Sequence, residues 1–124
     1  MQRGNPYGQG NPVLPYKVTQ VYAGTDCWGE FQFLDRAKAP ATPLTIVYRI
    51  DNVTDNQQIL GNTSFPPSGT TAEINVPGAL NVMSRSGQSS QINQMLVTST
   101  YADGSTAVKP FFYEVIDIST VGGA

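Results

Sequence analysis

Histidine is absent from this 124-residue chain, cysteine occurs once, and only 13% of the residues are charged. Each shortage excludes a class of function. A Ser-His-Asp or Cys-His relay needs an imidazole to move the proton, and a histidine-ligated metal site needs one as donor. A single thiol closes no disulfide within the chain, so the fold does not depend on a disulfide scaffold. Seven Lys and Arg against nine Asp and Glu give a formal net charge of -2, without the basic surplus that a phosphate backbone attracts. No apolar run comes near the ~20 residues of a membrane helix. The opening Met-Gln-Arg-Gly-Asn-Pro has neither the basic nor the apolar region of a secretion signal, so no export is expected. What remains is a domain of neutral, polar surface that works by binding. No cofactor, metal, nucleic acid or membrane is expected as its partner.

Turn-forming residues are plentiful, with twelve Gly and nine Pro, and they are densest at the start. In residues 1–15, MQRGNPYGQGNPVLP, Pro6, Pro12 and Pro15 remove backbone donors while Gly4, Gly8 and Gly10 loosen the chain between them. Neither a helical nor a strand period is visible there. The segment reads as an extended arm that orders on a partner, or as an ordinary frayed terminus. Tyr7 has no fold of its own to belong to, and with Pro6, Pro12, Val13 and Leu14 it is a candidate for partner contact.

Beyond the arm the pattern is β, and residues 16–120 are expected to form one domain ahead of a flexible tail at 121–124. YKVTQVY (16–22) is aromatic and β-branched. In the run from Cys27 to Leu34, Phe31 and Phe33 share a face opposite Glu30 and Gln32. DRAKAPATP reads as a loop. LTIVYRID (44–51) alternates strictly, with Leu44, Ile46, Tyr48 and Ile50 on one face. A short run follows at Gln58 to Leu60, then a loop through Phe65-Pro66-Pro67-Ser68-Gly69. TTAEINVP turns Ala72, Ile74 and Val76 inward before Pro77 stops it. ALNVM (79–83) fits a short strand or one helical turn, and SRSGQSSQ (84–91) a polar loop. The last two strands form a hairpin about Asp103-Gly104-Ser105. Met95, Val97 and Tyr101 face inward from its first strand, and Phe111, Tyr113 and Val115 from its second, with Phe112 and Ile116 leaving that face open. Seven or so short strands with regular turn signals predict an all-β, antiparallel β-sandwich; a small closed barrel is the competing architecture.

Candidate chemistry is thin. Cys27 has no base to activate it and reads as a buried, inert thiol. Trp28 reads first as core and second as a surface anchor for a partner. Asp51, Asn52, Asp55 and Asn56 are oxygen-rich, but lack the ligand spacing of a calcium loop and read as a turn that caps its own backbone. Asn52-Val53-Thr54 and Asn62-Thr63-Ser64 match a glycosylation tripeptide that has no meaning without export. Asp26, Glu30 and Asp35 are too sparse to suggest an acid–base pair, and no catalytic residue is assigned.

TPLTIVYRIDNVTDNQQIL, with TTAEINVP, INQMLVTSTYADG and FFYEVIDI after it, resembles small immunoglobulin-like proteins of tailed bacteriophages, over about residues 28–118. The resemblance implies a non-enzymatic virion component made in the host cytoplasm: a capsid decoration (cement) protein, a neck protein or a fibre-attachment module. Capsid, neck or tail subunits and further copies of the chain would then be its partners, met through the sandwich and the arm. A carbohydrate- or host-surface-binding module, with Trp28 or Phe65 as stacking platforms, is the alternative.

Overall fold

A computed structural model describes residues 18–117. The arm, with its candidates Pro6, Tyr7, Pro12, Val13 and Leu14, lies outside the described residues, as does the 121–124 tail. The chain runs β1 (Thr19–Tyr22), β2 (Cys27–Gln32), β3 (Thr45–Asn52), β4 (Gln57–Phe65), β5 (Thr71–Val76), a single 3₁₀ turn (Gly78–Leu80), β6 (Ser90–Thr100) and β7 (Thr106–Ile116). Among the described residues there is no α-helix, as the lack of any helical period predicts.

The strands form a five-stranded sheet in the order β1-β7-β6-β3-β4 and a two-stranded sheet of β2 and β5. The β6–β7 hairpin is the backbone of the larger sheet, with eleven residues in each strand. Its turn is closed where expected: Asp103 Oδ1 accepts hydrogen bonds from the Ser105 amide and hydroxyl, and Gly104 takes the positive φ of 87° that the reversal needs. β3 pairs antiparallel with β6 on one side and with β4 on the other.

One expectation fails here. The sheets are not wholly antiparallel, because β1 pairs parallel to β7, Thr19 opposite Tyr113 and Val21 opposite Val115. The reason lies in the connection. The chain leaves β1 at Gly24, which has φ +86°, and crosses to the small sheet as β2, so β1 is never one arm of a hairpin with β7.

Both sheets supply the core. Cys27, Phe31, Ile74 and Val76 from the small sheet pack with Ile46, Ile50, Met95, Val97, Tyr113 and Val115 from the large one. The rings of Phe31 and Phe111 meet edge to face across the gap at 6.2 Å. Gly29 makes room for that contact, since a Cβ there would press on both rings.

The β3 pattern holds at Ile46 and Ile50, both buried, and fails at Leu44, which is 60% exposed. Leu44 precedes the strand proper, and Pro43 occupies the buried position beside it. Tyr48 is only half-buried and rests edge-on against Phe65. β4 is also longer than its apolar content suggests. The expected run of three residues continues through Asn62, Thr63 and Ser64 to Phe65, because β3 supplies a ladder for it across a register shift near Tyr48 and Ile50. Ser90 and Gln91, expected in a loop, begin β6. Of residues 79–83, Ala79 and Leu80 complete the 3₁₀ turn begun at Gly78, while 81–83 form neither a strand nor a helical turn.

Candidate functional site

Period-2 alternation fixes what the small sheet shows to its surroundings. β2 reads buried-exposed throughout, with Cys27, Gly29 and Phe31 inward and Trp28, Glu30 and Gln32 outward. β5 matches it: Ile74 and Val76 are inward, and Thr71, Glu73 and Asn75 outward. The antiparallel register then pairs Trp28 with Asn75, Glu30 with Glu73, and Gln32 with Thr71 across the outer face.

Trp28 is therefore a surface residue, 54% exposed, and the core reading of it is wrong. Its neighbour Cys27 takes the inward position in the alternation, and two successive residues of a strand cannot both point inward. Cys27 is buried as expected. Desolvation pushes its thiol up to about 11 against a small opposing effect from the Trp28 backbone amide, so it is a poor nucleophile at neutral pH.

The outer face also places two like charges side by side. Glu30 and Glu73 are direct cross-strand partners, and neither has an ion-pair or hydrogen-bond partner among the described residues. Such pairs repel. The other carboxylates are occupied. Arg49 holds Asp51 through two 2.9 Å hydrogen bonds, Arg85 meets Asp55 at 2.9 Å, and Arg36 lies 3.7 Å from Asp103. Asp26 accepts the Gly78 amide, and Asp35 accepts those of Ala37 and Ala39. Asp26, Glu30 and Asp35 thus do not converge as an acid–base pair.

The oxygen-rich stretch from Asp51 to Asn56 is a turn. Asn52 Oδ1 accepts the Asp55 amide, and Asn56 takes φ +57°, which Asn tolerates. Asn52 offers Asp55 its amide nitrogen, a donor that suits a carboxylate and not a cation. Among the described residues no three His, Cys, Asp or Glu side chains are grouped to hold a metal.

A cleft of about 300 Å³ opens at the hairpin end between the sheets. Phe33 and Tyr101 form part of its wall, with Arg36, Lys38 and Lys109 around it and Asp35 among them. Lys109 leans on the Gln32 carbonyl at 3.4 Å. Phe65, the other candidate stacking ring, lies on β4 in the large sheet and does not share a surface strand with Trp28.

A buried polar cluster that no motif in the sequence marks lies at the opposite end from the hairpin. Asn52, Asn81, Gln91 and Asn93 are all fully buried. Tyr113 donates to Asn81 Oδ1, Asn93 donates to the Tyr113 oxygen, Gln91 donates to Asn93 Oδ1, and Asn81 donates to the Thr25 carbonyl. Extending the inward row of β6 backwards from Val97 and Met95 leads to Asn93 and Gln91, so the alternation itself was the available signal. The cluster and its neighbours tie residues 78–84 to β3, β6 and β7 of the large sheet and to the turn between β1 and β2.

No family model matches the chain, and neither a curated protein nor a solved structure matches it. Function is accordingly read from the residues themselves.

Proposed function

We propose that this chain is a non-enzymatic structural subunit of a tailed-bacteriophage particle, docking on capsid or neck subunits through its sandwich and residues 1–15. The sandwich is read as immunoglobulin-like because β7, β6 and β3 stand side by side with β4 beyond them, opposite a separate β2–β5 pair. The observation that carries the docking role is the open outer face of the small sheet. There Trp28, at 54% exposure, stands among uncharged polar side chains and the Glu30–Glu73 pair. Large exposed aromatics of this kind anchor protein contacts. β4 adds a nine-residue edge strand that, among the described residues, pairs with β3 alone, a template for main-chain hydrogen bonding. Weak contacts suffice where many copies sit on a symmetric lattice, since avidity multiplies them.

The test is incorporation into particles. Deleting residues 1–15 is expected to lower occupancy on the virion, measured by imaging purified particles; unchanged occupancy would remove the arm from the proposal.

Trp28 opposite Asn75 also supports the second reading, a carbohydrate platform in which the indole stacks on a sugar ring and the amide accepts from and donates to hydroxyls. Specific signals on a glycan array that vanish in Trp28→Ala would favour it over the structural role.

A further inference from the structure

We propose that the outer face of β2 and β5 receives residues 1–17 of a second copy of this chain, with Trp28 as the apolar contact and Glu30 and Glu73 as the counter-charges. This assignment rests on the assembly reading above and names the surface on which the arm lies.

Charge complementarity selects the occupant. All nine Asp and Glu fall within residues 18–117, beside only five of the seven Lys and Arg. The other two cations, Arg3 and Lys17, lie in residues 1–17, which hold no acid at all. The chain therefore divides into a cationic leader and an acidic body. Within the body the three arginines are already engaged by Asp103, Asp51 and Asp55. Glu30 and Glu73 are left facing each other, a repulsion that a cation from outside would relieve.

Side-chain chemistry points the same way. Proline-rich segments are recognised by exposed aromatic rings, because their backbone is preset and loses little freedom on docking. The leader carries Pro6, Pro12 and Pro15 between its two cations, and the face offers an exposed indole two residues from a pair of carboxylates. Length also permits it. Seventeen residues extend up to ~60 Å, against roughly 20 Å for a six-residue strand. The leader can thus leave its own body and cross the face of a neighbour.

The experiment uses the full chain. Self-association followed by sedimentation is expected to weaken about tenfold or more in the double variant Glu30→Gln, Glu73→Gln. The same variant should raise the thermal midpoint of the isolated subunit, because the repelling pair is gone. Arg3→Glu should lose association, and combining it with Glu30→Lys and Glu73→Lys should restore it. To identify the copy, a Gln2→Cys chain is mixed with an Asn75→Cys chain, which leaves Arg3, Glu30 and Glu73 in place, and cross-linked with a short bis-maleimide; Cys27 is buried and stays silent. Cross-links between the two chains are expected. Cross-links confined to a single chain carrying both cysteines would overturn the second-copy assignment. Association indifferent to the Glu30 and Glu73 variants would overturn the surface. A chain that stays monomeric to ~1 mM, yet joins particles in a manner that depends on residues 1–15, would overturn this inference and leave the virion role standing. Particle binding that persists without residues 1–15 would overturn this inference alone, and a chain that never joins particles would remove both.

Discussion

The phenol of Tyr113 donates a 2.8 Å hydrogen bond to Oδ1 of Asn81 from a position with no solvent exposure, and accepts one from Asn93 in return. The ring belongs to β7 and Asn81 to the segment that leads from the small sheet back to β6, so one hydroxyl joins three parts of the fold. Tyr113→Phe keeps the ring and strands both amide partners. The expected cost is about 1–3 kcal/mol, read as a lower urea midpoint at unchanged slope.

The same phenol sets an alkaline limit. Burial pushes it up to about 12, with the Asn93 hydrogen bond opposing. An unfolded tyrosine ionises near ~10, so the stability held by the neutral phenol is intact below that value and is lost as pH rises through the folded one. The advantage of wild type over Tyr113→Phe is therefore expected to shrink between about pH 10 and 12. Chemical denaturation of both proteins across that range measures it.

Gly78 is fixed by space. A Cβ there would run into the carbonyl of Gly24, and its amide is already committed to Asp26 Oδ1 at 2.7 Å. Neither backbone can move without disturbing the passage from β1 to β2. Gly78→Ala is expected to cost about 1–3 kcal/mol. Gly61→Ala, whose Cβ would meet only the end of the Gln58 side chain, should stay within about 0.5 kcal/mol. Equal effects in the two variants would count against the steric explanation.

How much of this was legible in the sequence depended on whether local alternation or a distant partner decided the outcome. Ile46, Ile50, Ile74, Val76, Met95, Val97, Tyr113 and Val115 all lie where period-2 reading puts them, because a strand with one covered face must alternate. β4 runs beyond its apolar residues, since Asn62, Thr63 and Ser64 bring no apolar alternation and are held by the ladder that β3 provides. The parallel β1–β7 pairing is a matter of topology, invisible in either strand alone. Size and typical burial point Trp28 inward, yet it is exposed. Its parity with Cys27, an expected buried residue, was the better guide. Asn93 and Gln91 continue the inward row of β6 although amides are usually exposed.

Cys27 is expected to resist alkylation in the folded protein. Its thiol is pushed up to about 11, whereas a free cysteine titrates near ~8.5, and the sulfur is 1% exposed. At pH 8.5 the thiolate population alone predicts modification by iodoacetamide at least a hundredfold slower than in denaturant, roughly the ratio the two pKa values imply. Mass spectrometry of timed aliquots reads the two rates directly. Comparable rates would show that this part of β2 opens readily, and with it the neighbouring Trp28 face.

Asp55 should give the acid side of the stability profile. Its carboxylate is 11% exposed and is held below the usual range, first by the Ser84 hydroxyl at 2.6 Å and then by the amides of Asn52 and Gln88 and the charge of Arg85, against an opposing push from burial. A carboxyl depressed in the folded state stabilises the fold above its unfolded value of ~3.9 and loses that contribution as pH falls through its lower folded value. Asp55→Asn should therefore be less stable than wild type at pH 7, because the new amide group turns a donor toward donors already aimed at that oxygen. The gap should narrow as pH drops below about 4, where the wild-type carboxyl itself takes up a proton. Arg85→Ala is expected to reproduce only a small part of the loss, since its guanidinium is 63% exposed and screened by solvent. Denaturation curves of the three proteins from neutral pH to pH 2.5 separate these outcomes. Curves that run parallel throughout would mean that Asp55 titrates alike in the folded and unfolded chain, and that the Asn52–Asp55–Ser84 contacts hold the turn in place without linking it to pH.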